Sequence, residues 1–125
     1  MEKEASKFFV NATQKLNQAN EELFKPKEDI ETYLVCKNSQ YAVVNYLKGY
    51  LLKKGIEPSE NETIDSLYEK CKKINNRFEK VDLSDFICKS SLNLESEICN
   101  TVSKVNKCFD AVDELDTFLR REKII

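Results

Sequence analysis

Apolar residues recur at every third or fourth position through four stretches of this chain, a period that belongs to α-helices with one face turned inward. The first stretch, residues 3–24, sets Ala5, Phe9, Ala12, Leu16, Ala19 and Leu23 on one face, with Phe8 and Phe24 widening it. It ends near Pro26, because proline steers its predecessor away from helical angles and lacks the N–H that a helix interior needs. The second stretch, residues 29–54, is greasier. At ~100° per residue, Val35, Cys36, Ala42, Val43, Val44, Tyr46, Leu47, Tyr50 and Leu51 cover well over half of its circumference. A narrow strip through Asn38, Asn45, Gly49 and Lys53 is left for water. A helix of that kind touches neighbours on several sides, either at the centre of a bundle or at a subunit interface.

Lys53 and Lys54 suit the negative end of this helix, and Gly55 stands where a left-handed cap is needed, with Ile56 placed for the accompanying contact. After Pro58, Ser59-x-x-Glu62 reads as a capping box opening a third helix over about 60–74. Its apolar positions are Ile64, Leu67, Cys71 and Ile74, with Phe78 in register beyond them. A short turn of this kind joins antiparallel neighbours. Asp82-Leu83-Ser84-Asp85 can cap one or two helical turns through Phe86, Ile87 and Cys88. The fourth stretch, about 93–121, carries Ile98, Val102, Val105, Phe109, Val112, Leu115 and Leu119, with Ser91 or Asn93 as its cap. Only two glycines and two prolines occur, too few for the turns of a sheet-rich fold, and 41% hydrophobic residues suffice for one core. The expectation is therefore all-α: residues 1–125 as a single domain, an antiparallel up-and-down four-helix bundle with one extra short helix between helices 3 and 4.

The chain contains no histidine. It thus lacks the side chain that serves most general-base, zinc and nucleophile-activation schemes near neutral pH. Di-iron bundles need Glu-x-x-His pairs and are excluded, and two glycines cannot build a phosphate-cradling loop. Cys36, Cys71, Cys88, Cys99 and Cys108 contain no C-x-x-C pair, so they read as small core hydrophobes rather than zinc ligands. No signal-peptide core or membrane-length run appears, and the expected location is the cytoplasm, a reducing compartment. Asn11-Ala-Thr13 and Asn61-Glu-Thr63 match a glycosylation pattern that this location makes incidental. The net charge of −2 gives no bulk reason to expect nucleic acid or membrane.

Three clusters remain. Asp110, Asp113, Glu114 and Asp116 can hold magnesium or paired carboxylates, or flank the apolar stripe in water. The lysines Lys48, Lys53, Lys54, Lys70, Lys72 and Lys73 with Arg77 can meet phosphates, or compensate helix ends. Tyr33, Tyr41, Tyr46 and Tyr50 can stack on bases, or pack in the core.

The run from Asn38 to Pro58, followed by Thr63-Ile-Asp-Ser-Leu67, resembles the second and third helices of HEPN domains, the higher eukaryotes and prokaryotes nucleotide-binding modules. Gln40, Ala42, Leu47, Lys48, Gly55, Pro58, Ile64 and Leu67 carry the likeness. The resemblance implies a helical bundle, commonly paired as a dimer. Many members cut RNA through an arginine followed four to six positions later by histidine, while others are non-catalytic partners of small nucleotidyltransferases. Arg77, Arg120 and Arg121 have no such histidine, so the resemblance implies a divergent member from which no catalytic residue carries over. The expectation is a non-enzymatic binding module without cofactor or metal, a homodimer or the partner of a small nucleotidyltransferase, contacting it through Tyr41, Asn45, Lys48 and Tyr50. The alternative is a nucleotide- or RNA-binding domain using Lys48, Lys53, Lys73 and Arg77. A third reading is a magnesium hydrolase built on Asp110 and Asp113.

Overall fold

The computed structural model describes residues 2–83 and 101–125. Among the described residues there are four α-helices: α1 (Glu2–Leu23), α2 (Thr32–Lys53), α3 (Ile64–Ile74) and α4 (Val102–Arg121). Short 3-10 turns occupy Lys27–Asp29 and Asn76–Lys80, and no strand occurs among the described residues. The architecture is an all-α helical bundle. The short helix expected near residues 82–88 lies mostly outside the described residues, as do Ile98, Cys88, Cys99 and the expected caps Ser91 and Asn93.

Contacts along α1 and α2 run in opposite senses. Phe9 lies against Gly49, Thr13 against Tyr46, and Glu22 against the start of α2 at Glu31. Along α2 and α4 they run in the same sense, Tyr46 to Asp116 and then Lys53 to Ile124. Helix α2 packs against α1, α3 and α4. Each of its residues from Thr32 to Leu52 is buried or half-buried. Much of its broad apolar arc therefore faces neighbouring helices inside the bundle, while Val44 and Tyr41 stay half-buried. Val35, Ala42, Val43, Leu47 and Leu51 are fully buried beside Leu67, Val112, Leu115 and Leu119. Each of these valine and leucine side chains withdrawn from water contributes roughly 1.5–3 kcal/mol.

Four sequence expectations are corrected. Gly49 is not part of a watery strip, because it is buried under Phe9 and Phe8 where α1 crosses α2. Phe24 lies beyond the end of α1 and is 81% exposed, so it does not extend the apolar face. Helix α3 begins at Ile64, not near residue 60, and its N-cap is Thr63, whose hydroxyl accepts from the Ser66 amide. One half of the expected capping box persists without the helix: the Ser59 amide donates to Glu62 Oε1 at 3.0 Å. Helix α4 begins at Val102, capped by Thr101, whose hydroxyl accepts from the Lys104 amide.

The helix ends explain where each element stops. Gly55 adopts φ +81°, the Ile56 amide donates to Leu51 and the Gly55 amide to Leu52, which is the paired closure of a Schellman cap. The end of α4 repeats it with Lys123 at φ 59°, the Ile124 amide donating to Leu119 and the Lys123 amide to Arg120. Asn75 turns extended after α3, and its side chain accepts from the Arg77 amide to start the next turn. That turn delivers Phe78 into the core, with its ring 4.7 Å from Tyr50 and 4.8 Å from Phe118. Tyr68 secures it by donating its hydroxyl to the Phe78 and Val81 carbonyls.

Candidate functional site

The half-exposed side of α2 is the surface on which the chain displays aromatic and polar groups together. Tyr41, Asn45 and Lys48 stand four and three positions apart, so they share one face. Tyr33, Lys37 and Val44 flank them on that face and are likewise half-buried. Lys37 Nζ lies 5.6 Å from the Tyr33 ring and 5.8 Å from the Tyr41 ring, while Lys15 of α1 reaches to 5.6 Å from Tyr41. Cation–π contacts at such wet sites are worth about 0.5–1 kcal/mol each. They hold the two rings in position more than they stabilise the fold. Asn45 donates Nδ2 to the Tyr41 carbonyl at 2.7 Å, and Lys48 extends over the following connection to the Glu60 carbonyl.

Tyr50 does not belong to this surface. Nine positions beyond Tyr41 it lies about half a turn round the helix, and it is 1% exposed against Phe78. Burial raises its phenol pKa. Tyr46 is also enclosed, so the tyrosines divide into two core members and two surface members. Lys37 at i−4 from Tyr41 was visible in the sequence, whereas Lys15 comes from another helix and was not.

Beneath this face a polar chain joins three helices. The Tyr46 hydroxyl donates to Asp116 Oδ1 at 2.6 Å, and the Thr13 hydroxyl, 3.3 Å away, is left to donate to the phenol oxygen. Arg120 Nε lies 3.1 and 3.0 Å from the two Asp116 oxygens. Burial, then the acceptor Asp116, pushes the Tyr46 pKa up. Of the acids around it, Asp110, Asp113 and Glu114 are exposed. Partial loss of hydration at the helix surface and then the neighbouring Asp116 and Asp110 raise the Asp113 pKa. Among the described residues no group of three carboxylates or thiols is placed to hold a metal ion, so the cluster does not assemble as a magnesium site.

The cations of the alternative reading are not gathered together. Lys48 and Lys53 lie about 140° apart around α2. Lys53 donates to the Ile124 carbonyl at 2.8 Å, and Lys73 is exposed on α3. Arg77 pairs with Glu122 at 2.9 Å.

The cysteines differ from their expectation at one position. Cys36, Cys71 and Cys108 are all buried. Burial drives the Cys71 thiol up to about 12, which keeps it protonated and unreactive. Cys36, however, is disulfide-bonded. A sequence without close cysteine pairs does not reveal such a bond. No described helix is long and apolar enough to cross a membrane.

Compared with known proteins, the chain matches the family model of the HEPN domain over residues 5–116. No curated protein and no solved structure matches it.

Proposed function

Because the chain belongs to the HEPN family, we propose that it is a non-catalytic binding module of that fold, which presents the outer face of α2 to a protein partner. The observation that carries this reading is the lack of any imidazole in the sequence combined with the state of two of its three arginines. Arg77 and Arg120 are both engaged by carboxylates, Glu122 and Asp116. Neither is free to polarise a phosphodiester, and neither has a histidine to move a proton.

The proposed docking face carries Tyr41, Asn45 and Lys48, with Tyr33 and Lys37 beside them. Tyrosine is enriched where interfaces concentrate their energy, since it covers much area with few rotatable bonds. The charges that α2 itself sets on this face are lysines only, Lys37 and Lys48, although Glu21 and Glu22 of α1 lie beside Lys37 and Tyr41. A different chain with an acidic docking face fits those lysines, and a small nucleotidyltransferase is the kind of partner that the family resemblance suggests. A nucleic-acid reading through Lys48, Lys53, Lys73 and Arg77 has less support, because these groups point to separate surfaces and one is already neutralised.

The test is sedimentation of the purified chain alone and mixed with a small nucleotidyltransferase. A stable complex is expected, weakened about tenfold by Tyr41→Ala or Lys48→Glu. Steady cleavage of RNA by the pure chain, or a complex indifferent to both substitutions, would reject the proposal.

A further inference from the structure

A groove of about 500 Å³ runs between the C-terminal half of α1 and the N-terminal half of α2, and Tyr41 forms part of its wall beside Lys15, Gln18, Lys37 and Asn38. Two ammonium groups approach the Tyr41 ring, Lys15 Nζ at 5.6 Å and Lys37 Nζ at 5.8 Å from its centroid. They do not act alike. Lys37 stands one turn before Tyr41 on the same helix and divides itself between two rings, since it also lies 5.6 Å from Tyr33. Lys15 belongs to α1. A ring held only from its own helix can change rotamer together with the lysine that holds it, whereas a cation from a second helix fixes it against the bundle.

The surroundings leave Lys15 to this task. Glu22, the buried carboxylate of the groove, is taken by Lys25 at 3.0 Å and by the Glu31 amide at 3.0 Å. Glu21 is exposed, and it stands six positions from Lys15, about 9 Å along the helix axis. Lys15 Nζ instead donates to the neutral Gln18 Oε1 at 3.5 Å, one turn on. Lys15 is itself half-buried, so its stem is partly held by the bundle while its charged end stays at the surface.

We propose that Lys15 is a positioning residue of the docking face. Acting through Tyr41, it fixes from α1 the ring that α2 presents, so rotamer freedom that an interface must otherwise remove is lost before a partner arrives. The inference rests on the docking reading of α2 and adds a second helix to it.

The test begins with the free, intact chain. Three-bond couplings measured by NMR should report one χ1 rotamer for Tyr41 in the wild type and in Lys15→Arg, which keeps a cation over the ring. Lys15→Gln removes the charge, and there the couplings should average while the helix content stays the same. In sedimentation with a small nucleotidyltransferase, Lys15→Gln should weaken the complex about threefold and Lys15→Arg should restore it. In a Tyr41→Ala background, Lys15→Gln should change nothing. A single rotamer retained in Lys15→Gln would overturn the proposal. So would an effect of Lys15→Gln that persists without the Tyr41 ring, because Lys15 would then be a contact in its own right. If no complex forms at all, the docking reading falls, and the rotamer measurement still decides for or against Lys15 as the group that positions Tyr41.

Discussion

Gly49 shows how much a single missing methyl group can decide. A Cβ built there would stand 2.7 and 2.9 Å from two atoms of the Phe9 ring and 3.2 Å from Phe8 Cβ. The ring could swing into a neighbouring cleft, but Phe8 Cβ is fixed to the backbone and can yield only if α1 backs away. Alanine would gain about 0.8–1 kcal/mol of helix propensity, against overpacking that costs typically 1–3 kcal/mol. Gly49→Ala is therefore expected to destabilise the chain by about 1 kcal/mol in urea unfolding. Phe9→Leu combined with it should recover part of that loss, a coupling visible in a double-mutant cycle. A more stable Gly49→Ala protein would mean that the helices are not held this close. The sequence alone places Gly49 on the polar strip by its angle. Only the identity of the side chain on α1 that crosses above it reveals why glycine stands there.

The connection between α2 and α3 illustrates how an element boundary is set by competing acceptors. Ser59-x-x-Glu62 has the residues of a capping box, yet Glu62 is drawn into the start of α3 instead. Its carboxylate takes Lys70 Nζ at 2.7 Å, Ser66 Oγ at 2.8 Å and the Ser59 amide at 3.0 Å, with its side chain only 6% exposed. The ammonium of Lys70, then the Ser59 amide, hold the Glu62 carboxyl down at about 2 from an ordinary 4.5. A carboxyl lowered by folding stabilises the native state fully above its unfolded pKa and loses that contribution as pH falls. The wild-type chain should thus lose stability between roughly pH 5 and pH 2. Glu62→Gln should be less stable at pH 7 by about 1–2 kcal/mol, and should lose less on acidification. Parallel urea melts at pH 7 and pH 3 would check it, and identical pH slopes for both proteins would contradict the assignment. The helical periods, the Gly55 cap and the core faces of α1 and α4 were legible because each depends on neighbours three or four positions away. The true start of α3 was not, since it depends on Lys70 winning Glu62. The disulfide at Cys36 was hidden for the same reason, being a long-range pairing.

At the scale of the whole molecule, the bundle is joined across its helices by more than apolar packing. Tyr46 on α2 reaches Asp116 on α4 at 2.6 Å and Thr13 on α1 at 3.3 Å, and Asp116 in turn holds Arg120. The sequence showed Asp116 only as one of four acids near the C-terminal half of a helix, the end where carboxylates are disfavoured. The buried phenol is what compensates it, along with the arginine one turn on. Tyr46→Phe keeps the ring and removes the donor, so Asp116 retains Arg120 but must seek water for its freed oxygen. The expected cost is about 1–2 kcal/mol, with Thr13→Val costing less because Thr13 is only half-buried. Alkaline titration gives a second, independent reading. Folding raises the Tyr46 pKa above its ordinary 10.0, so its contribution is complete below that value and is lost as pH rises beyond it. Wild type should consequently weaken above pH 10 by more than Tyr46→Phe does. If both proteins lose stability equally on the alkaline side and differ by less than about 0.3 kcal/mol at neutrality, the three helices are held by packing alone and the polar chain across them carries no energy.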